Sequence, residues 1–310
     1  MKIAEEPPQA KDKKIKTPKT PAAIRSIDKI GALYAWPMGV WFSVFFLVPI
    51  LIILIYSFLT KALYGGVIWQ FSLKAYHDMF KLSYLKIFLR TLYISVVASV
   101  ITIGIALPAG YAMAKSRHQT LMLFLVIIPF WTNSLVRIFA WMNILGNEGF
   151  INAMLLKLGI ISEYAKLLYN TKAVILVSVY MYLPYALLPI FTAVDKFDFS
   201  LLEASRDLGA TKMQSMFKIL IPNIKSGILT ALVFTFIPIF GAYTVPLLVG
   251  GKDSYMIGNI IVDQVNKTRN WPLASAFSVI ITIISTLGVL LMTTSSKKEA
   301  ATKKTEEGRQ

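Results

Sequence analysis

FSLLEASRDLGATKMQSMFKILIPNIKSG, residues Phe199 to Gly227, lies between two long apolar blocks, and its reading decides how the chain is organised. Ser200 is followed three residues later by Glu203, the signature of a capped helix start. Thr211 and Gln214 repeat that signature, and Gly209 stands between them where a left-handed helix cap is needed. The segment therefore reads as helix, glycine turn, helix, with Pro222 leading into the next apolar block. Leu201, Leu202, Ala204, Ser205 and Leu208 mark the first helix, and Met213, Met216, Phe217, Ile219 and Leu220 the second. Apolar residues on such a loop fit docking to a partner protein. They fit equally an amphipathic helix lying on a lipid surface.

Working outward, the apolar blocks are long enough to cross a bilayer, which takes about 20 residues as a helix. Six spans are expected, over 33–59, 88–114, 121–145, 172–194, 226–249 and 273–294. Backbone polar groups must be satisfied inside lipid, so these are helices; no alternation of the barrel kind is present. The first block exceeds a signal-peptide core and lacks an evident cleavage site, so it reads as an uncleaved span. Prolines 108, 129, 184, 189, 238 and 246 recur in or at the ends of spans, where they tend to kink helices that a transport pathway needs to move. Proline is also simply commoner in membrane helices.

Composition agrees: 56% of residues are hydrophobic, only 15% are charged, and the mean hydropathy is +0.62. A net charge of +16 raises nucleic acid as a partner, but the Lys and Arg cluster in tails and short loops. Segments on one side of the expected membrane hold 20 Lys and Arg against 11 on the other. The positive-inside bias then places the basic tail 1–32, the 199–225 loop and the tail 295–310 in the cytoplasm. The chain has no cysteine, which excludes disulfides and thiolate chemistry. Its two histidines, His77 and His118, stand far apart in sequence and suggest no metal centre.

The loop closely resembles the EAA motif of bacterial ABC importer permeases: Glu-Ala-Ala, three residues, Gly, nine residues, Ile-x-Leu-Pro. Here it reads Glu203-Ala204-Ser205, Gly209, then Ile219-Leu220-Ile221-Pro222, with Ser205 and Ile221 departing conservatively. Pro129–Trp141 (PFWTNSLVRIFAW) and Leu201–Lys212 further resemble the spermidine/putrescine branch of that family, and the resemblance extends over nearly all of 33–294. The resemblance implies an all-α integral membrane protein, a six-helix ABC importer permease of the type I, MetI-like kind in an inner membrane. It implies a coupling helix in which Glu203, Ala204, Ser205, Asp207, Leu208, Gly209 and Ala210 meet an ATPase. It also implies a second permease, an ABC ATPase dimer and an extracytoplasmic binding protein as partners. ATP and magnesium would be held by the ATPase, and no cofactor by this chain.

A polyamine path should offer aromatic faces, carbonyls or carboxylates. Candidates are Trp131, Asn133, Tyr182, Tyr185, Tyr243 and Asp195, the acidic residue nearest a span core, with Tyr180 and Asn143 as further possibilities. Each aromatic singly also fits a membrane belt or helix packing. Arg137 is the ionised residue well inside a span, and as a cation it reads as a gating or interface residue rather than a polyamine contact. The outer segments 146–170 and 250–271 are expected to receive the binding protein. No GxxxxGK[ST], HExxH or GxSxG pattern supports an enzyme. Alternatives are an importer permease for another small solute, or a secondary transporter, which ordinarily needs more intramembrane ionisable groups.

Overall fold

The computed structural model describes residues 36–307, with side chains described as far as Leu290. The expected basic tail 1–32 and the first residues of the first span lie outside the described residues. Four helices are each long and apolar enough to cross a membrane: α1 (Trp36–Ser57), α3 (Leu82–Ala114), α7 (Thr171–Asp195) and the Trp271–Leu290 part of α13 (Trp271–Glu307). Two bent helix pairs bring the total to six if each pair is one span. The α1 helix contains a π-helical turn at Ser43–Leu47, and its side chains are exposed from Trp36 to Ile55. Apart from Ser43 this exposed surface is apolar, as a lipid-facing helix requires.

A small antiparallel hairpin, β1 (Leu59–Lys61) and β2 (Val67–Phe71), follows α1, closed through Gly65 and Gly66 at positive φ. The all-α reading missed it. The Val67-Ile68-Trp69 run after two glycines is its local signal. The short α2 (Lys74–Met79) then leads into α3.

The centre of the fold is a three-helix packing of α3, α7 and α10 (Lys225–Phe240). Small residues make it possible. Ala98, Thr102, Ala106 and Gly110 recur every four residues on α3 and are all buried; Gly227, Ala231 and Thr235 do the same on α10. Every-fourth spacing puts them on one helix face, and small side chains let backbones approach where no water drives association. A Cβ built on Gly110 would stand 3.0 Å from Ile190 Cγ2 and 3.2 Å from the Phe191 nitrogen; one on Gly227 would stand 2.4 Å from Ala193 Cβ. Four buried hydroxyls are satisfied within their own helices: Thr91, Ser95, Thr102 and Thr235 each donate to the carbonyl four residues back, while the buried Ser99 hydroxyl has no partner among the described residues.

Around these helices the core divides along its length. Met113, Leu187, Ile190, Val194, Leu202 and Leu220 pack at the end near the 199–225 loop. Ile94, Ile138, Val174, Val177, Val249 and Met256 pack at the opposite end.

Two expected spans are corrected. The third, 121–145, is not one helix. It comprises α4 (Gln119–Ile127), a 3₁₀ turn Ile128–Trp131, and α5 (Ser134–Leu145) continuing to α6 (Phe150–Lys157), with a 90° bend at the break. Thr132 is extended, and the Asn133 carboxamide oxygen accepts from the Leu135 N–H at 2.8 Å, so a new helix starts there. The fifth, 226–249, ends at Phe240 and resumes as α11 (Thr244–Leu248) after the Gly241–Tyr243 turn. By contrast α3 stays helical through Pro108, and α7 through Pro184 and Pro189. Lastly, α12 (Ile257–Asn266) lies at the end opposite the loop, its Ile257 N–H donating to Thr91 Oγ1 at 3.0 Å. The α13 helix runs past the expected end of the sixth span at 294, continuing to Glu307.

Candidate functional site

The loop folds as two short helices across a glycine. The first, α8, covers Ser200–Asp207, and the second, α9, starts at Lys212 and runs through a π-turn, Met216–Leu220, to Asn223. Gly209 has φ +89°, its N–H donates to the Arg206 carbonyl at 2.8 Å, and the Ala210 N–H donates to the Ser205 carbonyl at 3.0 Å. These two bonds are the Schellman pair that ends a helix at a left-handed residue. Thr211 and Gln214 form the expected reciprocal capping box. The expected box at Ser200 is absent, because the helix starts one residue earlier in register. The Asp198 carboxylate accepts from the Ser200 N–H at 3.0 Å instead. Interaction with the Ser200 hydroxyl, and then this bond from its N–H, holds the Asp198 carboxyl below the usual carboxylate range.

One face of the pair anchors it. Leu202, Leu220 and Ile224 are buried against Met113, Val194 and Phe197. Phe199 meets Tyr111 edge to face, and the Lys115 ammonium lies over both rings. Ser205 is buried too, its hydroxyl donating to Ser215 Oγ at 2.7 Å, while Ser215 donates to the Thr211 carbonyl. Of the seven residues named for ATPase coupling, Glu203, Ala204, Asp207, Leu208 and Gly209 are exposed, Ala210 is half-buried, and Ser205 faces inward. Beside the exposed five stand the uncovered apolar side chains of Leu201, Met213 and Phe217, with Leu208 itself 89% exposed. An exposed apolar cluster of this kind marks a surface for protein or membrane contact.

The solute-path candidates do not form one cluster. The broken span gathers Arg137, whose guanidinium lies 4.6 Å from the Phe130 ring centroid; Phe130 and Trp141 both pack on Tyr180. Arg137 Nε and Nη1 are buried and have no hydrogen-bond partner among the described residues. Trp131 is exposed, Asn133 is spent as a helix cap, and Asn143 donates to the Phe139 carbonyl. Tyr182 and Tyr185 pack together, ring centroids 5.9 Å apart, and Tyr182 packs on both the Ala98–Val179–Ile239 group and the group that holds Ile138 and Val177. Asp195 stands at the loop end, accepting from Gln119 Nε2, which also donates to the Ala114 carbonyl. Tyr243 stands at the opposite end in the turn after α10, its carbonyl accepting from Asn259 Nδ2 at 2.9 Å.

Residues 101–298 match the family described as the binding-protein-dependent transport system inner membrane component. The chain belongs to that family. It is 36% identical over 249 residues to the spermidine/putrescine transport system permease protein PotB of Haemophilus influenzae, covering 80% of this chain and 87% of that protein. To PotB of Escherichia coli K12 it is 35% identical over 254 residues, covering 81% and 92%. Among solved structures, it superposes on a chain of a bacterial ABC transporter involved in the import of the acidic polysaccharide alginate, with a TM-score of 0.71 at 16% identity over 90% of this chain and 99% of that one. The fold is that of the MetI-like ABC importer permeases. As a family member, the protein is a multi-pass inner-membrane component of a binding-protein-dependent transport system.

Sequence reasoning missed three things here. The Ser205–Ser215 bond needed knowledge of how the two short helices cross. The small-residue stripes on α3 and α10 were readable as every-fourth small residues but were not read. Asp263 of α12 was passed over because it lies outside every expected span.

Proposed function

We propose that this chain is one of two permease subunits of an ATP-driven importer of polyamines. The observation that carries this reading is the 35–36% identity to two spermidine/putrescine permeases over four-fifths of the chain. The Glu203–Gly209 loop supports it, since the loop presents an exposed apolar face on a buried footing. In this reading Glu203, Ala204, Asp207, Leu208, Gly209 and Ala210 meet the ATPase subunit, while Ser205 holds the two helices together from within. ATP and magnesium are bound in that ATPase. The loop and both termini face the cytoplasm, where the excess of Lys and Arg belongs.

A motion of the ATPase at α8 would act on α3 and α7 through Leu202, Met113 and Val194, and on α10 through Leu220 and Ile224. The route is short because α9 joins α10 at a 72° bend. A second permease would complete the path between the two chains, with Trp131, Tyr182, Tyr185, Tyr243, Asn133 and Asp195 as its side-chain contacts here. Arg137 is given an interface or gating role, because a buried cation at the bend repels a polycation.

The test is uptake of radiolabelled spermidine and putrescine into proteoliposomes holding the whole complex. ATP- and binding-protein-dependent uptake is expected. A complex whose binding protein stimulates ATPase activity while neither polyamine enters would overturn the polyamine assignment and leave the family intact.

A further inference from the structure

At the end opposite the coupling loop, a pocket of about 160 Å³ opens between the Tyr243 turn, α11 and α12. Its lining includes Asp263, Lys267, Tyr255, Tyr243, Asn259 and Asn266. The floor is fixed: Asn259 is 2% exposed, donates to the Tyr243 carbonyl, and accepts from the Met256 N–H. The carboxylate is held from both sides. Tyr255 donates its hydroxyl to Asp263 Oδ2, and the Lys267 ammonium lies 2.8 Å from Oδ1. Burial pushes the Asp263 carboxyl up, but the bonds from Lys267 and Tyr255 hold it below the usual carboxylate range, so it is an anion at neutral pH. Burial and the same carboxylate push the Tyr255 phenol up to about 12, so it stays a donor.

The two ends of the ion pair differ in freedom. The Asp263 side chain is 27% exposed, whereas that of Lys267 is 70% exposed on a flexible stem. An exposed pair four residues apart contributes little, so the ammonium leaves at small cost while the carboxylate stays. Lys267 also shows what the site takes: a primary alkylammonium, bonded to a carboxylate beside two tyrosine rings, whose faces favour cations. A linear polyamine ends in the same group. The six expected spans hold no carboxylate, so a polycation entering from this end meets Asp263 before any acidic side chain deeper in the fold.

We propose that this pocket receives an amino group of the incoming solute, which displaces the Lys267 ammonium from Asp263 as the solute leaves its binding protein. The proposal rests on the polyamine reading above, and it supplies that reading with the carboxylate that its spans lack.

The test compares Asp263→Asn and Lys267→Gln in the complete reconstituted importer, with radiolabelled spermidine presented by saturating binding protein. Assembly and basal ATPase activity are measured alongside. Asp263→Asn is expected to slow uptake about threefold to fivefold, the scale of one partly exposed ion pair. Lys267→Gln removes the competitor, so uptake should hold or rise. If the pair only fastens α12, both variants lose the same bond and fall alike, which overturns the proposal. Uptake by Asp263→Asn equal to wild type overturns it too, while the polyamine reading survives. Failure of the wild-type complex to import either polyamine removes that reading and the proposal with it.

Discussion

Ser205 Oγ donates to Ser215 Oγ at 2.7 Å, joining the two short helices of the 199–225 loop across the Gly209 turn. Ser205 stands where the motif the loop resembles has an alanine, and its bond to Ser215 turns a small residue into an internal fastener. Ser205→Ala leaves no buried group unpaired, because Ser215 keeps its bond to the Thr211 carbonyl. Its expected cost is about 1 kcal/mol, the net worth of one hydrogen bond. Ser205→Leu overpacks the same buried position and should cost about 1–3 kcal/mol. Thermal melting of the purified complex, with solute imported per ATP hydrolysed, ranks the two. A melting loss for Ser205→Ala as large as that for Ser205→Leu would contradict this account.

Gly209 sits at φ +89° with open space where a Cβ would stand, so only the backbone resists substitution there. Gly209→Asn should therefore be tolerated better than Gly209→Val, which incurs the left-handed penalty of roughly 1–2 kcal/mol. Co-purification of the ATPase subunit with each variant is the readout. Loss of ATPase is expected for the valine and partial retention for the asparagine.

Gly227 poses the opposite problem. A Cβ there would meet Ala193 Cβ at 2.4 Å and the Pro189 carbonyl oxygen at 3.0 Å, on a face that cannot yield without moving α10 off α7. Gly227→Ala should destabilise by about 1–3 kcal/mol. Gly288 meets nothing within 4 Å, so Gly288→Ala should be neutral or slightly stabilising. Melting curves of the two variants in detergent check the contrast.

Asp198 accepts from the Ser200 N–H at the start of α8, and its carboxyl lies below the usual range through the Ser200 hydroxyl and this N–H. A depressed carboxyl stabilises above the unfolded value near about 4 and stops doing so as pH falls through the folded value. Amide-exchange protection of Ser200–Asp207, corrected for intrinsic rates, should hold from neutral pH down to about pH 5 and fall below about pH 4. In Asp198→Ala that pH dependence should disappear.

Much of this was legible beforehand. Blocks such as 33–59 or 172–194 can be nothing but spans, since length and hydropathy act residue by residue. The turn at Gly209 was equally legible, because a left-handed position between two helical patterns selects glycine locally. The break at Thr132–Asn133 was not. Pro129 precedes it, yet α7 continues through both Pro184 and Pro189. Whether a proline interrupts a membrane helix depends on what packs against it. The cap at Phe199 rather than Ser200 is a one-residue shift of the helix start, which Phe199 packing on Tyr111 and Phe197 accompanies.

The sequence by itself determined the membrane class, the apolar blocks from which the spans are built, the helix–glycine–helix loop and, through its motif, the family. Those features rest on local chemistry: apolar length, capping residues and one left-handed glycine. Only the tertiary structure decided that Ser205 faces inward, that Ala98–Gly110 and Gly227–Thr235 are the faces on which the central helices meet, and that Asp263 shares a pocket with Tyr243. Each of these is a meeting of separate segments, fixed by which small residues let backbones close and which polar groups then find partners.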